Sequence, residues 1–298
     1  FLTLVSGISL MILVLTVSLL LIGGENVLYD IQGTDASLFA PYRRFLAGRC
    51  SDRCPPPLLY SSCFCLLVIF LFIPMGSFPQ FAETEGDFIV VVFLLLVSQG
   101  LYIRGMKAFS GEIYQSFDAK ELFVLSKFAV TLIAVGGTLS WYALNRGMPG
   151  NIFSLETFTA TPIWTVTGMW GKMGSAAFLL LLVAVSPSRG VTKTRILDNV
   201  QIPEIFDAIR STIAPAMIVS LFFPMRLGIY FGLIGFRMYL VDFVSFWLRV
   251  MIVQVVLIPL AARAFNKSRD KLPERPVHLP EMIIGAAGIV FFMLDLYL

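Results

Sequence analysis

The chain has 298 residues, of which 57% are hydrophobic and only 14% charged, with a mean hydropathy of +0.84. Soluble domains lie at roughly 45–50% apolar and about 25% charged, so this balance excludes an ordinary soluble domain and indicates a polytopic membrane protein. The net charge of +3 does not point to nucleic acid, because the basic residues are spread over several loops without a dense aromatic–basic stripe.

About 20 apolar residues cross a bilayer as a helix. Taken in chain order, such runs fall at residues 4–22, 58–75, 88–103, 122–144 and 162–185, then 213–225 continuing raggedly towards 234, then 239–262 and 282–298. These runs predict an all-α fold of about eight transmembrane helices, forming a single integral membrane domain over residues 1–298. No basic segment or small-residue cleavage site precedes the first run, and it is expected to be a permanent span.

The loops supply a check that the count did not use. After spans one, three, five and seven come Arg43, Arg44, Arg49 and Arg53; Arg104, Lys107 and Lys120; Arg189, Lys193, Arg195 and Arg210; and Arg263, Lys267, Arg269, Lys271 and Arg275. After spans two, four and six come only Arg146, Arg226 and Arg237. Sixteen basic residues against three is a strong positive-inside asymmetry, which places both termini outside and the odd loops in the cytoplasm or matrix.

The odd loops are also long and amphipathic. At the end of the third of them, residues 188–210, Ile202, Ile205, Phe206, Ile209 and Ile213 recur at helical spacing while Glu204, Asp207 and Arg210 take another face, and Pro203 suits a first helical position. Asp118 and Glu121 have capping-box spacing before span four. Leu38, Tyr42, Phe45 and Leu46 make an apolar stripe beside Arg43 and Arg44. Each pattern predicts an amphipathic helix at the inner membrane surface, and three on one side predict a docking face.

Catalytic signatures are sparse. Cys50, Cys54, Cys63 and Cys65 have neither zinc-knuckle nor iron–sulfur spacing, so packing is the expected role, with a metal centre the alternative. The segment GMWGKMGS, residues 168–175, lacks the spacing and the Ser or Thr of a phosphate loop, and its small residues suit close helix approach. His278 is the single histidine, which excludes a multi-histidine metal site, and nothing resembles a nucleophile–base pair. Lys127, Lys172, Asp242 and Arg249 lie inside predicted spans, where each costs roughly 2.5–3.5 kcal/mol at a helix centre. They are therefore candidates for an intramembrane charge relay. Asp242 and Arg249, seven residues apart, share a helix face within reach of a water-bridged link, while Lys127 and Asp242 also lie where a side chain can snorkel to a span end.

The order and spacing of these segments resemble subunit 1 of respiratory complex I, NADH:ubiquinone oxidoreductase, called the H subunit in bacteria. ENVLYDIQ (residues 25–32) and LFAPYRRFLAGR (38–49) look like the family's segments after the first span. SGEIYQSFDAKELFVLSKFAVTL (110–132) sits where the family has its second inner loop, and LAARAFNKSRDKLP (260–273) resembles its exit from span seven. Arg249 falls close to where relatives carry an intramembrane Lys. The chain departs in two places: GTDAS replaces a basic Gly-Pro segment, and GVTKTRILDN lacks the Pro-Phe-Asp that follows the family's Arg.

The resemblance implies a core membrane subunit of a proton-translocating enzyme of the respiratory chain. Its inner loops would wall the chamber where ubiquinone, bound at an interface with other subunits, meets electrons from the peripheral arm. It implies Glu25, Gln32, Arg189, Asp198, Glu204, Asp207, Arg263 and Arg269 as chamber and coupling residues. It also implies no redox cofactor, nucleophile or metal of the chain's own. The partners would be the other membrane and peripheral-arm subunits, quinone and membrane lipids. The location would be the mitochondrial inner membrane, or a bacterial or archaeal plasma membrane. Two alternatives compete: the corresponding subunit of a membrane-bound hydrogenase, separable by quinone in the purified assembly, and a secondary transporter, a class marked by repeats and interrupted helices. Only Gly136 and Gly137 hint at such an interruption.

The charge pattern makes topology testable without reference to function. A cysteine placed near Lys193 should be labelled by an impermeant reagent only from the matrix or cytoplasmic side, and one near Pro149 only from the other. Labelling of both from one side would sink the eight-span arrangement.

Overall fold

The computed structural model describes residues 2–29, 56–75, 87–110, 115–148, 150–186, 201–258, 260 and 279–298. Among them there are helices and connecting turns but no strand, so the fold is all-α. The helices are α1 (Leu2–Tyr29), α2 (Pro57–Ile69), α3 (Asp87–Ser110), α4 (Gln115–Asn145), α5 (Leu155–Ala160), α6 (Ile163–Val166) and α7 (Met169–Val185). After them come α8 (Gln201–Phe222), α9 (Leu227–Tyr230), α10 (Phe236–Ile252, continued by a π-helical turn Val253–Leu257) and α11 (Leu279–Tyr297).

Among the described residues, five stretches are long and apolar enough to cross a membrane: Asp87–Ala108, Lys127–Asn145, Ile205–Phe222, Phe236–Leu257 and Pro280–Tyr297. Three shorter apolar helices, Gly7–Leu21, Pro57–Ile69 and Met169–Val185, occupy the other predicted runs. Among the described residues the count by length is therefore five, not the expected eight. The causes are local. The second run leaves the helix at Phe70, whose N–H turns back to Leu67 O. The fifth is cut by Pro162 and Gly168 into α6 and α7. In the first, the helix itself runs Leu2–Tyr29, and the described apolar stretch within it is the short part.

The inner amphipathic segments also differ from expectation where they are described. Residues 202–210 form no separate surface helix, because α8 runs unbroken from Gln201 into the sixth span. Pro203 sits in its first turn, where an N–H has no intrahelical partner to lose. Likewise α3 continues to Ser110, and α4 starts at Gln115, so Asp118 and Glu121 lie inside the helix rather than at its cap. A continuous helix keeps its backbone groups paired, which an apolar solvent rewards. The stripe at Leu38, Tyr42, Phe45 and Leu46 lies outside the described residues.

The chain divides into two compact units. The first comprises Phe1–Leu71, Phe93–Ser126 and Pro187–Ile213. In it the start of α8 is a packing hub. Tyr102 of α3 stacks on Phe206 with ring centroids 3.9 Å apart and planes 8° apart, and Leu19 of α1 packs on Ala208. Helix α2 closes on α3 at Gly105, where an added Cβ would lie 2.9 Å from the Leu59 side chain.

The second unit comprises Phe72–Val92, Lys127–Ser186 and Ala214–Leu298. Its core joins α7 and α11 through glycine. A Cβ on Gly174 would lie 2.8 Å from the Phe292 ring and 3.1 Å from Gly288 O, and one on Gly288 would lie 2.5 Å from the Phe178 ring. Phe178 and Phe292 stack at 5.5 Å, and Tyr142 of α4 meets Phe292 edge-on at 4.9 Å. The small residues of GMWGKMGS thus let one helix axis approach another, as membrane helices do in place of a hydrophobic drive.

Gly174→Val should lower the thermal midpoint in detergent, because overpacking at a backbone contact costs about 1–3 kcal/mol. Gly100→Ala, at an exposed α3 position with nothing within 4 Å of the added carbon, should be neutral or slightly stabilising. Equal midpoints for both variants would contradict the α7–α11 contact.

Candidate functional site

One polar feature of the second unit is an interruption between α8 and α9. The sequence FFPMRLG sets it up. Pro224 disfavours helical geometry at Phe223 and has no N–H to give, so α8 stops at Phe222. One turn of helix, α9, follows, and then Gly232 and Gly235, at φ of +65° and +68°, turn the chain into α10.

Ending a helix leaves carbonyls and N–H groups without partners. Here side chains from neighbouring elements satisfy them. Trp164 of α6 donates its indole N–H to Phe222 O. Arg249 of α10 donates through Nη1 to Phe223 O and through Nη2 to Met225 O at 3.0 Å. The guanidinium is itself held by Ser245, with Nη2 to Oγ at 2.8 Å and Nε to the Ser245 carbonyl at 3.0 Å. Two turns back on the same helix, the fully buried Asp242 accepts from the Gly228 N–H at 2.6 Å, in the first turn of α9. A cation thus sits on the carbonyl end of one helix and an anion on the amide end of the next, the sense that helix dipoles favour.

Helix α10 carries both charges on one side: Asp242 and Arg249 lie six and thirteen residues from Phe236, or about 9 and 20 Å along the axis. Their side chains reach back to the interruption, where Gly228 packs beside Met238, two residues into α10. Gly228 must be glycine for this approach, since a Cβ there would lie 2.6 Å from Met238 Cγ and 2.8 Å from Met238 O.

A second constellation closes the α6–α7 interruption. Asp295 of α11 presents Oδ2 to the Tyr142 hydroxyl at 2.6 Å, to Gly168 N–H at 3.0 Å and to Arg146 Nη2 at 3.1 Å. Arg146 Nη2 also donates to Asp295 O, and its Nε donates to Tyr142 Oη at 3.1 Å. The carboxylate fits at the start of α7 because Gly168 and Gly171 have no side chain: a Cβ on them would lie 2.6 and 2.9 Å from its oxygens. Helix N-termini hold anions in this way, and here the anion is the protein's own. The hydrogen bond to Tyr142 raises the Arg146 pKa further, so this cation persists at every accessible pH.

Of the sequence-predicted residues, Gln32, Arg189, Asp198, Arg263 and Arg269 lie outside the described residues. Glu25 and Glu204 are placed in α1 and α8 as backbone positions only. Asp207 is ion-paired to Arg210 at 3.1 Å, one turn along α8 in the first unit. In the second unit, Lys127 pairs with Glu281 of α11, Lys172 is exposed in the first turn of α7, and Asp242 and Arg249 hold the α8–α9 interruption. Asp242 and Arg249 each reach the interruption separately, Asp242 at the Gly228 N–H and Arg249 at the carbonyls of Phe223 and Met225, with Ser245 beside the guanidinium. The expected interruption at Gly136 and Gly137 is absent, because α4 runs through both.

Sequence reasoning passed over Tyr142, Arg146, Asp295 and Glu281. The signal for Asp295 was available, an acid within the last apolar run beside a Gly-rich helix start. Among the described residues no group of three His, Cys, Asp or Glu converges as a metal site, and Cys63 and Cys65 are free thiols. No protein-family model and no curated protein matches this chain.

Arg249→Met removes the donors to Phe223 O and Met225 O and should destabilise the purified protein by about 1–3 kcal/mol, the cost of leaving a buried acceptor unmet. Arg249→Lys should recover only part of this, since an ammonium lacks the guanidinium fork. Thermal melts of the two variants check it, and equal melts for wild type and Arg249→Met would remove the clamp.

Proposed function

We propose that this chain is a core membrane subunit of a proton-translocating NADH:ubiquinone oxidoreductase, complex I, with both termini outside. Its inner segments line part of the chamber where quinone meets electrons delivered by peripheral subunits. The observation that carries this reading is the order and spacing of the charged inner segments from Glu25 to Pro273, which resemble the subunit 1 family. The chain then contributes no redox centre. It supplies polar wall and a route for charge rearrangement, in a mitochondrial inner membrane, among other membrane and peripheral-arm subunits.

Within that reading the start of α8 is the coupling element. Two acids three residues apart on a helix are neighbours, and Arg210 already faces Asp207. Asp207, paired among the described residues with an arginine one turn away, can exchange that partner when quinone chemistry alters the nearby charge. The aromatic stack of Tyr102 on Phe206, with Arg210 5.8 Å above the Phe206 ring, fixes the acid's position.

A secondary transporter is the second reading, and the α8–α9 interruption favours it, since interrupted helices with ionic groups at their ends mark that class. The two readings part on whether the isolated chain transports a solute in liposomes.

Glu204→Gln combined with Asp207→Asn should lower NADH:quinone reductase activity several-fold in an assembled complex. Electron transfer to a soluble acceptor upstream of quinone should be unchanged. Normal quinone reduction and normal pumping in the double variant would make the pair a surface feature only.

A further inference from the structure

In the first unit the buried hydroxyls mostly bond to their own helices. Ser62, Ser98, Ser211 and Thr212 each donate to a carbonyl three or four residues back, at 2.7–3.0 Å. Among the described residues of that unit, Ser18, Gln99 and Asp207 are the exceptions. Ser18 of α1 is fully buried with no partner for its Oγ, and Gln99 of α3, 1% exposed, has none for either amide atom. Asp207 Oδ1 has Arg210 at 3.1 Å but makes no hydrogen bond.

The three stand close together. Leu19, next to Ser18, packs on Ala208, next to Asp207. Tyr102, three residues after Gln99, stacks on Phe206, the other neighbour of Asp207. Groups from three helices therefore lie within about one helical turn, roughly 5 Å along an axis, of contacts that flank Asp207. Each helix is apolar here, over Gly7–Leu21, Asp87–Ala108 and Ile205–Phe222. A polar group left bare in such surroundings costs roughly 1–3 kcal/mol.

Burial decides what can satisfy them. Ser18 and Gln99 are closed off inside the unit, out of reach of a lipid headgroup or of another protein's side chain. A molecule enclosed with them is small, and it both donates and accepts, because a hydroxyl and an amide do both while a carboxylate only accepts. Water fits, since a buried water takes about three hydrogen bonds from groups otherwise unsatisfied. We infer that Ser18, Gln99 and Asp207 enclose bound water between α1, α3 and α8, a hydrated site within the membrane-crossing part of this unit. Such water gives the Asp207 carboxylate a second partner besides Arg210. The inference goes beyond the quinone reading and stands without it, because buried polar groups need partners whatever the activity.

Radiolytic footprinting of the protein as extracted in mild detergent tests it. X-ray pulses split bound water into hydroxyl radicals, which oxidise the side chains beside it even where bulk solvent has no access. Phe206, fully buried, is the reporter. Phe178 and Phe292, also buried and stacked in the α7–α11 contact, are dry controls of the same residue type. Phe206 should be oxidised at least several-fold faster than either control. Ser18→Ala combined with Gln99→Leu should remove that excess, and Gln99→Leu alone should lower the thermal midpoint by stripping the water of a partner. A bare amide gives the opposite sign, since an apolar group of similar shape is then neutral or stabilising. Oxidation of wild-type Phe206 at the control rate would overturn the inference, whether or not the variants fold. So would an excess that survives the double variant, or a midpoint that Gln99→Leu leaves unchanged or raises. No step uses quinone, so this failure is distinct from a failure of the quinone reading.

Discussion

In hydrocarbon, a backbone group that loses its helical partner must find another one inside the protein. The second unit is organised around that constraint. Its apolar runs are interrupted twice, after Phe222 and between Val166 and Met169, and at each interruption a charged side chain from another helix takes over the freed groups. The ionisable residues that look costly in a span are the ones that make an irregular backbone tolerable there.

The two closures are built with opposite emphasis. At the start of α7 one carboxylate collects a tyrosine, an arginine and a backbone amide, and the glycines exist to let it in. After α8 one guanidinium distributes its donors over two carbonyls and a serine, and it is the planar fork that makes this possible. Both rely on α10 or α11, regular helices whose rigidity places the charge. The close α7–α11 contact through Gly174 and Gly288 then fixes where Asp295 stands.

Much of the fold was legible in sequence because length and hydropathy act locally: each predicted run coincides with an apolar helix. Arg249 and Asp242 were legible as residues, since a charge in a long apolar run announces itself. Their partners were not. Pro224 shows that the helix ends, but of the side chains that meet its end Arg249 lies 24 to 26 residues further on and Trp164 58 residues earlier, and only tertiary packing joins them. Asp295 was missed for the same reason in reverse, its partners lying 127 to 153 residues earlier. The amphipathic turn at residues 202–210 misled because its polar face is real, yet its backbone continues directly into a span.

Those separations have a consequence for how the chain is made. Gly168 and Arg146 emerge from the ribosome 127 and 149 residues before Asp295. At roughly 5–20 residues per second, their anion arrives about 6–30 seconds later. During that interval an arginine and a bare helix start must be held by the insertion machinery, by water or by lipid headgroups. The last helix is therefore what lets the fourth and the α7 segments leave that shelter, and the unit's assembly is timed by translation rather than by the insertion of each span alone.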